Sequence, residues 1–146
     1  MMLKLTELDS DNDIANADEV VTLPFEYRQK SRLLSRTDQG TQIGIFLPRG
    51  QTLRHGLVLT GQDKIRVRIS AAPEAVSVVR TDDNLLFARA CYHLGNRHIP
   101  LQILPGELRF ITDHVLDQML MGLGLTVRHA LLPFEPEHGA YHLHGH

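Results

Sequence analysis

The chain has 146 residues, of which 42% are hydrophobic and 22% are charged, and its formal net charge is −2. This composition is typical of a globular protein, and it lacks the basic excess that neutralises a nucleic-acid backbone, so we expect no nucleic-acid partner. The single cysteine, Cys91, excludes an intrachain disulfide and a zinc site built from several thiolates, and we therefore expect a reducing, cytoplasmic location.

The first residues lack the apolar run of a secretory signal, and no segment approaches the roughly 20 apolar residues of a membrane helix, so we expect no membrane association. Short β-branched or alternating segments then follow at Glu19–Leu23, 41–47 and 64–69. Turn-forming residues separate these segments. Residues 1–72 are therefore predicted to form a small antiparallel β-sandwich or barrel domain.

The pattern changes after 71–74, where a domain boundary is predicted. A strand at 75–80 precedes a helix at 84–93, with capping residues at 81–83 and a stop at Gly95-Asn96. Strands at 99–104 and 107–111, a helix from Thr112 or Asp113 to Gly124, and a strand at 126–132 complete the order βαββαβ. This order is typical of the ferredoxin-like fold, so residues 73–134 are predicted to be such a domain in an α+β protein.

Histidine is concentrated at the C-terminus. Four of the nine histidines, His138, His142, His144 and His146, fall within 138–146. Imidazole binds Ni²⁺, Cu²⁺, Zn²⁺ and Co²⁺ well, and the glycines of this segment allow it to fold around an ion. We expect a flexible, metal-binding tail over 135–146; the alternative is a polar, solubilising tail or a tag remnant.

Two further histidines are candidate metal ligands because of their predicted positions. His98 lies in a loop after the first helix of the second domain, and His114 lies at the start of the second helix. Loops on a rigid scaffold often carry ligands, although both could equally be ordinary surface residues. His93 is expected in the last turn of its helix, and we interpret His55 and His129 as structural.

Catalytic motifs are missing from the sequence. There is no Gly-x-Ser-x-Gly elbow, no phosphate-binding glycine loop and no His-Glu-x-x-His motif. Cys91 is expected to be a buried small hydrophobe. The acids Asp82, Asp83, Asp113 and Asp117 are expected to cap helices or to lie on polar faces. The sequence therefore predicts a protein that is not an enzyme, and a metal-dependent hydrolase is a weak alternative.

Several longer runs resemble the signature of the UreE urease accessory family. They comprise 88–103, which contains Gly95-Asn96-Arg97-His98, together with 105–109, 113–116, 123–125, 133–141 and Leu47-Pro48-Arg49-Gly50. The resemblance implies a first domain similar to the peptide-binding domain of heat-shock co-chaperones and a ferredoxin-like metal-binding domain.

The resemblance also implies a site and a role. It implies a homodimer that holds Ni²⁺ at its interface through His98 of each chain, with His114 and the tail histidines as further ligands. The nickel is expected to pass through the urease accessory GTPase to the urease apoprotein complex. Some relatives carry a second histidine where this chain has Thr112, so a peripheral site that uses such a pair is expected to be weakened or missing. The tail is also short, with four histidines where some members have a long run, so we expect fewer ions per dimer.

The expected function is therefore that of a nickel metallochaperone for urease maturation. The alternative is a protein-binding co-chaperone of urease maturation in which metal binding is secondary. Histidine ligation also suits Cu²⁺, Zn²⁺ and Co²⁺, and the sequence by itself does not select among these ions.

Overall fold

The computed structural model describes residues 2–9 and 16–138. Within these residues the elements are β1 (Leu3–Leu5), β2 (Glu7–Leu8), β3 (Glu19–Leu23), α1 (Phe25–Arg28), β4 (Arg32–Arg36), β5 (Gln42–Phe46), β6 (Val58–Thr60), β7 (Val67–Ala71), β8 (Pro73–Arg80), α2 (Asn84–Asn96), β9 (Gln102–Leu104), β10 (Glu107–Ile111), α3 (His114–Gly122) and β11 (Val127–Pro133). The chain divides into two compact units, Met1–Ala72 and Pro73–His146. No helix in the described part is both long and apolar enough to cross a membrane.

The first unit contains two small sheets, with strand orders β1-β5-β4 and β2-β6-β7-β3. They share a core of fully buried aliphatic side chains: Leu5, Val21, Ile43, Ile45, Leu59, Val67 and Ile69. The antiparallel prediction is wrong for two pairings, because β1 runs parallel to β5 and β3 runs parallel to β7. A local pattern identifies a strand but not its partner, so the parallel pairs between distant segments were not predicted.

Strand boundaries in this unit also differ from the prediction. The strand predicted at 64–69 begins only at Val67, because Lys64 has a left-handed φ of 60° and donates its N–H to the Gly61 carbonyl at 3.0 Å, which closes a turn. Alternate residues of β7 are buried, as expected of a half-buried strand. The short elements β1, β2, α1, β4 and β6 were missed because two to five residues give too little periodicity.

The second unit is a four-stranded sheet of order β11-β8-β10-β9 in which every neighbouring pair is antiparallel. Helices α2 and α3 cover the sheet face that carries Val79, Leu108 and Phe110. This topology confirms the predicted ferredoxin-like βαββαβ arrangement. The protein is α+β, as expected.

The predicted caps position both helices of this unit. Asp83 accepts from the Leu86 N–H at 3.0 Å, and Asp113 accepts from the N–H groups of Val115 and Leu116 at 2.9 and 3.1 Å. Helix α3 ends before Gly124, which has a φ of 97°.

Asp117 departs from its predicted place on a polar face. Its side chain is buried, accepting from the Ser77 hydroxyl at 2.6 Å and lying 2.7 Å from Nε2 of His129. Ser77 and His129 are directly opposite each other on β8 and β11, so both face α3. The helical pattern around Asp117 does not reveal which strand residues it meets.

Candidate metal centre

His98 follows the end of α2 in a strained backbone conformation. The helix runs through Asn96, beyond its predicted end at His93 and as far as the predicted stop at Gly95-Asn96, and the residue with a left-handed φ is His98, at 55°. Its N–H donates to the Gly95 carbonyl at 3.0 Å, which closes the turn. This conformation costs a residue with a Cβ roughly 1–2 kcal/mol. The imidazole is exposed and has no hydrogen-bond or ionic partner among the described residues.

His114 is the first residue of α3 and is also exposed. The amide nitrogen of Gln118, one turn further along the helix, lies 3.1 Å from its Nε2. Because an amide N–H only donates, the imidazole nitrogen is the acceptor in this contact. Metal binding through Nε2 of His114 therefore requires the Gln118 side chain to turn away.

One small hollow lies between the segments that carry these two histidines. Its volume is about 200 Å³, and it is lined by Ile99, Pro100, Phe110, Ile111, Thr112, Asp113 and Leu116. His98 immediately precedes Ile99, and His114 immediately follows Asp113. The fold therefore brings Ile99 and Asp113, the neighbours of the two histidines, to the same hollow, although the histidines are 16 residues apart in sequence.

The start of the C-terminal segment is anchored close to this region. The Glu135 N–H donates to Oε1 of Gln102 at 3.1 Å, and the Glu137 N–H donates to the Leu101 carbonyl at 2.8 Å. Two residues of the segment that is expected to be flexible, Glu135 and Glu137, are thus hydrogen-bonded to the residues at the start of β9. His138 follows them and is exposed. The other predicted tail ligands, His142, His144 and His146, lie outside the described residues.

The hydroxyl of Thr112 is 3.4 Å from that of Ser77. Across residues 2–9 and 16–138, no three His, Cys, Asp or Glu side chains are grouped so as to hold a metal ion. The described candidates of one subunit therefore do not form a closed coordination shell.

The remaining histidines make structural contacts. Nδ1 of His55 accepts the Ala71 N–H at 3.0 Å, His129 pairs with Asp117, and His93 packs edge-to-face against Tyr92 with ring centroids 5.3 Å apart.

Cys91 is partly buried against the core, and burial raises the pKa of its thiol, which disfavours a metal-binding thiolate. The Gln118–His114 contact was missed by sequence reasoning; their i, i+4 spacing on a helix was the available signal.

Comparison with known proteins identifies the family to which the chain belongs. The model of the UreE urease accessory protein C-terminal domain matches residues 74–146, and that of the N-terminal domain matches residues 4–72. A urease accessory protein UreE from Alkalilimnicola ehrlichii is 58% identical over 127 residues, covering 87% of this chain and 78% of the relative. The UreE protein of Pseudomonas putida strain GB-1 is 53% identical over 148 residues, covering 99% and 90%, and that of Escherichia coli O157:H7 is 53% identical over 131 residues, covering 86% and 85%. This chain belongs to the UreE urease accessory protein family.

Proposed function

We propose that the protein is a nickel metallochaperone that binds Ni²⁺ between two copies of the chain and delivers it for assembly of the urease active site. His98 of each copy provides the shared ligands. His114, His138 and the tail histidines His142, His144 and His146 supply the others.

The observation that carries this proposal is the exposed, unpartnered imidazole of His98, whose neighbour Ile99 lines the same hollow as Asp113, the residue before His114. Imidazole is a good nickel ligand, and a two-fold axis duplicates one surface histidine without further sequence. Anchoring of Glu137 to Leu101 starts the tail close to the strand that follows His98. Additional imidazoles can therefore reach the same ion.

A site of this kind suits a carrier. In the proposed site the two subunits share the metal ligands, and the tail completes the coordination shell. Ordering the tail for binding costs conformational entropy of about 1–2 kcal/mol for each ordered residue. Binding is correspondingly moderate, and release to an acceptor is possible. The same histidines also accept Cu²⁺, Zn²⁺ or Co²⁺ in vitro.

Membership of the family supports a proposal for the proteins that receive the metal. Relatives more than 50% identical are named urease accessory proteins, so the proposed acceptors are the urease accessory GTPase and the urease apoprotein complex in the cytoplasm. In this role the protein is not an enzyme.

The proposal is tested by titrating metal-free protein with Ni²⁺ in a calorimeter while measuring its mass by light scattering. We expect a dimer, and His98→Ala should remove the tightest binding event. His55→Gln is the matched control, since it removes an imidazole of the first unit, which contains no described candidate ligand, and should leave that event unchanged. An unaltered first event in His98→Ala, or a strictly monomeric protein, contradicts the proposal.

Nickel-dependent transfer is tested separately by pull-down of the accessory GTPase with and without a chelator. Association that is stronger with Ni²⁺ and lost in His98→Ala is the expected result. Equal association under both conditions favours a co-chaperone whose metal binding is secondary.

A further inference from the structure

A short segment after β11 crosses the sheet of the second unit, and we call this segment, residues 134–137, the strap. Strand β11 ends at Pro133 on one edge of the sheet. The N–H groups of Glu135 and Glu137 donate to residues at the start of β9, which is the opposite edge. Since β8 and β10 lie between these edges, the strap passes over both strands.

The strap lies on the sheet face that is turned away from the helices. Side chains alternate between the two faces of a sheet, and Phe110 of β10 packs in the core beneath α2 and α3. Its neighbour Arg109 therefore points to the other face, as does Gln102, which is opposite Arg109 in β9. Because the Gln102 side chain accepts from the strap, the strap runs across this second face.

This face is buried although α2 and α3 lie on the other side of the sheet. Val79 of β8 belongs to the core beneath the helices, so Val76 and Val78 of the same strand point away from it, and both are fully buried. The strap crosses the strand that carries them. The second face therefore offers an apolar surface to the strap.

Burial alternates along the strap itself. Phe134 is fully buried and Pro136 is buried, whereas Glu135 is half-buried and Glu137 is exposed. This pattern is that of an extended chain with one side against a surface. Pro136 has a fixed φ and no N–H to satisfy, which suits a position between two residues that donate to β9. Phe134 buries the largest apolar side chain of the strap, so we expect it to contribute most to attachment.

Attachment of the strap determines where the C-terminal imidazoles begin. His138 directly follows Glu137, whose N–H donates to Leu101, three residues after His98. Without attachment, the last fixed residue before His138 is Pro133 at the other edge of the sheet. That edge is three strand spacings, about 14 Å, from β9. A tail held only there explores a larger volume, which lowers the effective concentration of its imidazoles at His98.

We propose that Phe134 is a positioning residue for nickel binding. By holding the strap across the sheet, it keeps His138 and the histidines after it close to His98, although Phe134 itself contacts no metal. The inference rests on the proposed function, in which His98 and the tail share an ion. It adds to that function a residue without any metal-binding group that sets how tightly the ion is held.

Attachment is tested first without metal, by residue-resolved hydrogen exchange of the full chain in chelator. The Glu137 amide should exchange at least about tenfold more slowly than in an unstructured peptide, because it donates to the Leu101 carbonyl. Phe134→Ala should remove most of this protection, while the amides of α2 and α3 keep theirs. A Glu137 amide that exchanges at the unstructured rate in the native protein overturns the proposal, whether or not nickel binds.

Titration with Ni²⁺ then tests the connection to the ligands. Phe134→Ala should weaken the tightest binding event about three- to tenfold in the native chain, and Phe134→Leu should restore most of the affinity. The loss should be less than about twofold in a full-length chain in which the four C-terminal histidines are replaced by alanine. These are His138, His142, His144 and His146. An equal loss in both backgrounds, or no loss in the native chain, contradicts the proposal.

Two further variants separate positioning from loss of stability. Phe25→Ala removes a buried phenylalanine of the first unit and should change neither nickel affinity nor exchange of the Glu137 amide. Gln102→Ala removes the acceptor of the Glu135 N–H without removing buried apolar surface, so it tests the strap even if Phe134→Ala does not fold. It should weaken nickel binding about twofold in the native chain only. Absence of a His98-dependent event in the native chain concerns the proposed function, whereas Glu137 exchange reports on the strap in either case.

Discussion

At the level of single residues, His98 combines an exposed imidazole with a backbone conformation that glycine adopts more easily. The pattern Gly95-Asn96-Arg97-His98 indicated a helix end, and the resemblance pointed to His98 as a ligand. The sequence did not predict that His98, and not Gly95, takes the left-handed φ. Side chains retained in strained conformations are often functional, which agrees with a ligand role.

Replacing His98 by Gly should therefore stabilise the metal-free protein while removing a ligand. The free energy of unfolding of His98→Gly is expected to exceed that of His98→Ala by about 1 kcal/mol, because alanine keeps the Cβ that the left-handed region disfavours. Urea denaturation in chelator measures the difference. Equal stability of the two variants contradicts strain at this residue.

Gln118 provides a second residue-level prediction. Gln118→Ala should strengthen Ni²⁺ binding by about two- to fivefold, since the lone pair of Nε2 on His114 no longer accepts a hydrogen bond. Calorimetry in the His114→Ala background is the control. An effect of Gln118→Ala that persists there cannot act through His114.

At the level of elements, helix α3 is tied to two strands through one buried acid. Asp117 links Ser77 of β8 and His129 of β11, and its own helix begins at His114. The contact fixes the helix that carries a candidate ligand against the sheet. A helical pattern alone predicts that α3 exists but not which side chains meet beneath it.

Removal of the Asp117 carboxylate should destabilise the folded protein. Asp117→Ala is expected to lower the free energy of unfolding by about 2–3 kcal/mol, since it leaves the buried Ser77 hydroxyl without its acceptor, while Asp117→Asn should cost less. The exposed Asp82→Ala should change stability by less than about 0.5 kcal/mol. Chemical denaturation checks all three, and similar losses at the two positions contradict the role of Asp117.

Strands β8 and β10 are joined by a pH-dependent ionic contact. Burial raises the pKa of Glu107, but the hydrogen bonds and charges of Arg80, 2.6 Å away, and of Arg109 outweigh burial and lower it overall. A lowered folded pKa means that the contribution is complete above the pKa of an unfolded glutamate, about 4.3, and is lost as pH falls through the folded value.

Glu107→Gln should thus lower the free energy of unfolding by about 0.5–1 kcal/mol at pH 7, because the contact is partly exposed. The difference from the unmodified protein should shrink as pH falls below the usual glutamate range. Urea midpoints compared across acidic pH values test this, and a difference that is constant with pH contradicts it.

At the level of the whole molecule, the two compact units have separate cores, and the described candidate ligands all lie in the second. Ni²⁺ at about 100 times its dissociation constant should stabilise the unit that binds it by about 2.7 kcal/mol. Hydrogen exchange should show added protection in Pro73–His146 and not in Met1–Ala72. Protection that survives in His98→Ala, or that spreads equally over both units, is inconsistent with the proposed site.

Local sequence patterns determined much of this protein. Features that depend on interactions within a few residues were predicted from the sequence. They are the alternating burial of β7, the helix caps Asp83 and Asp113, Gly124 after α3 and the βαββαβ order. The concentration of histidine likewise indicated metal chemistry.

Only the tertiary structure decided which distant segments meet. Contacts between segments far apart in the chain determine the parallel pairs of the first unit, the burial of Asp117 and the hollow lined by Ile99 and Asp113. Such contacts form because folding buries apolar surface cooperatively and satisfies the backbone groups that this burial removes from water. No short window of sequence contains that information.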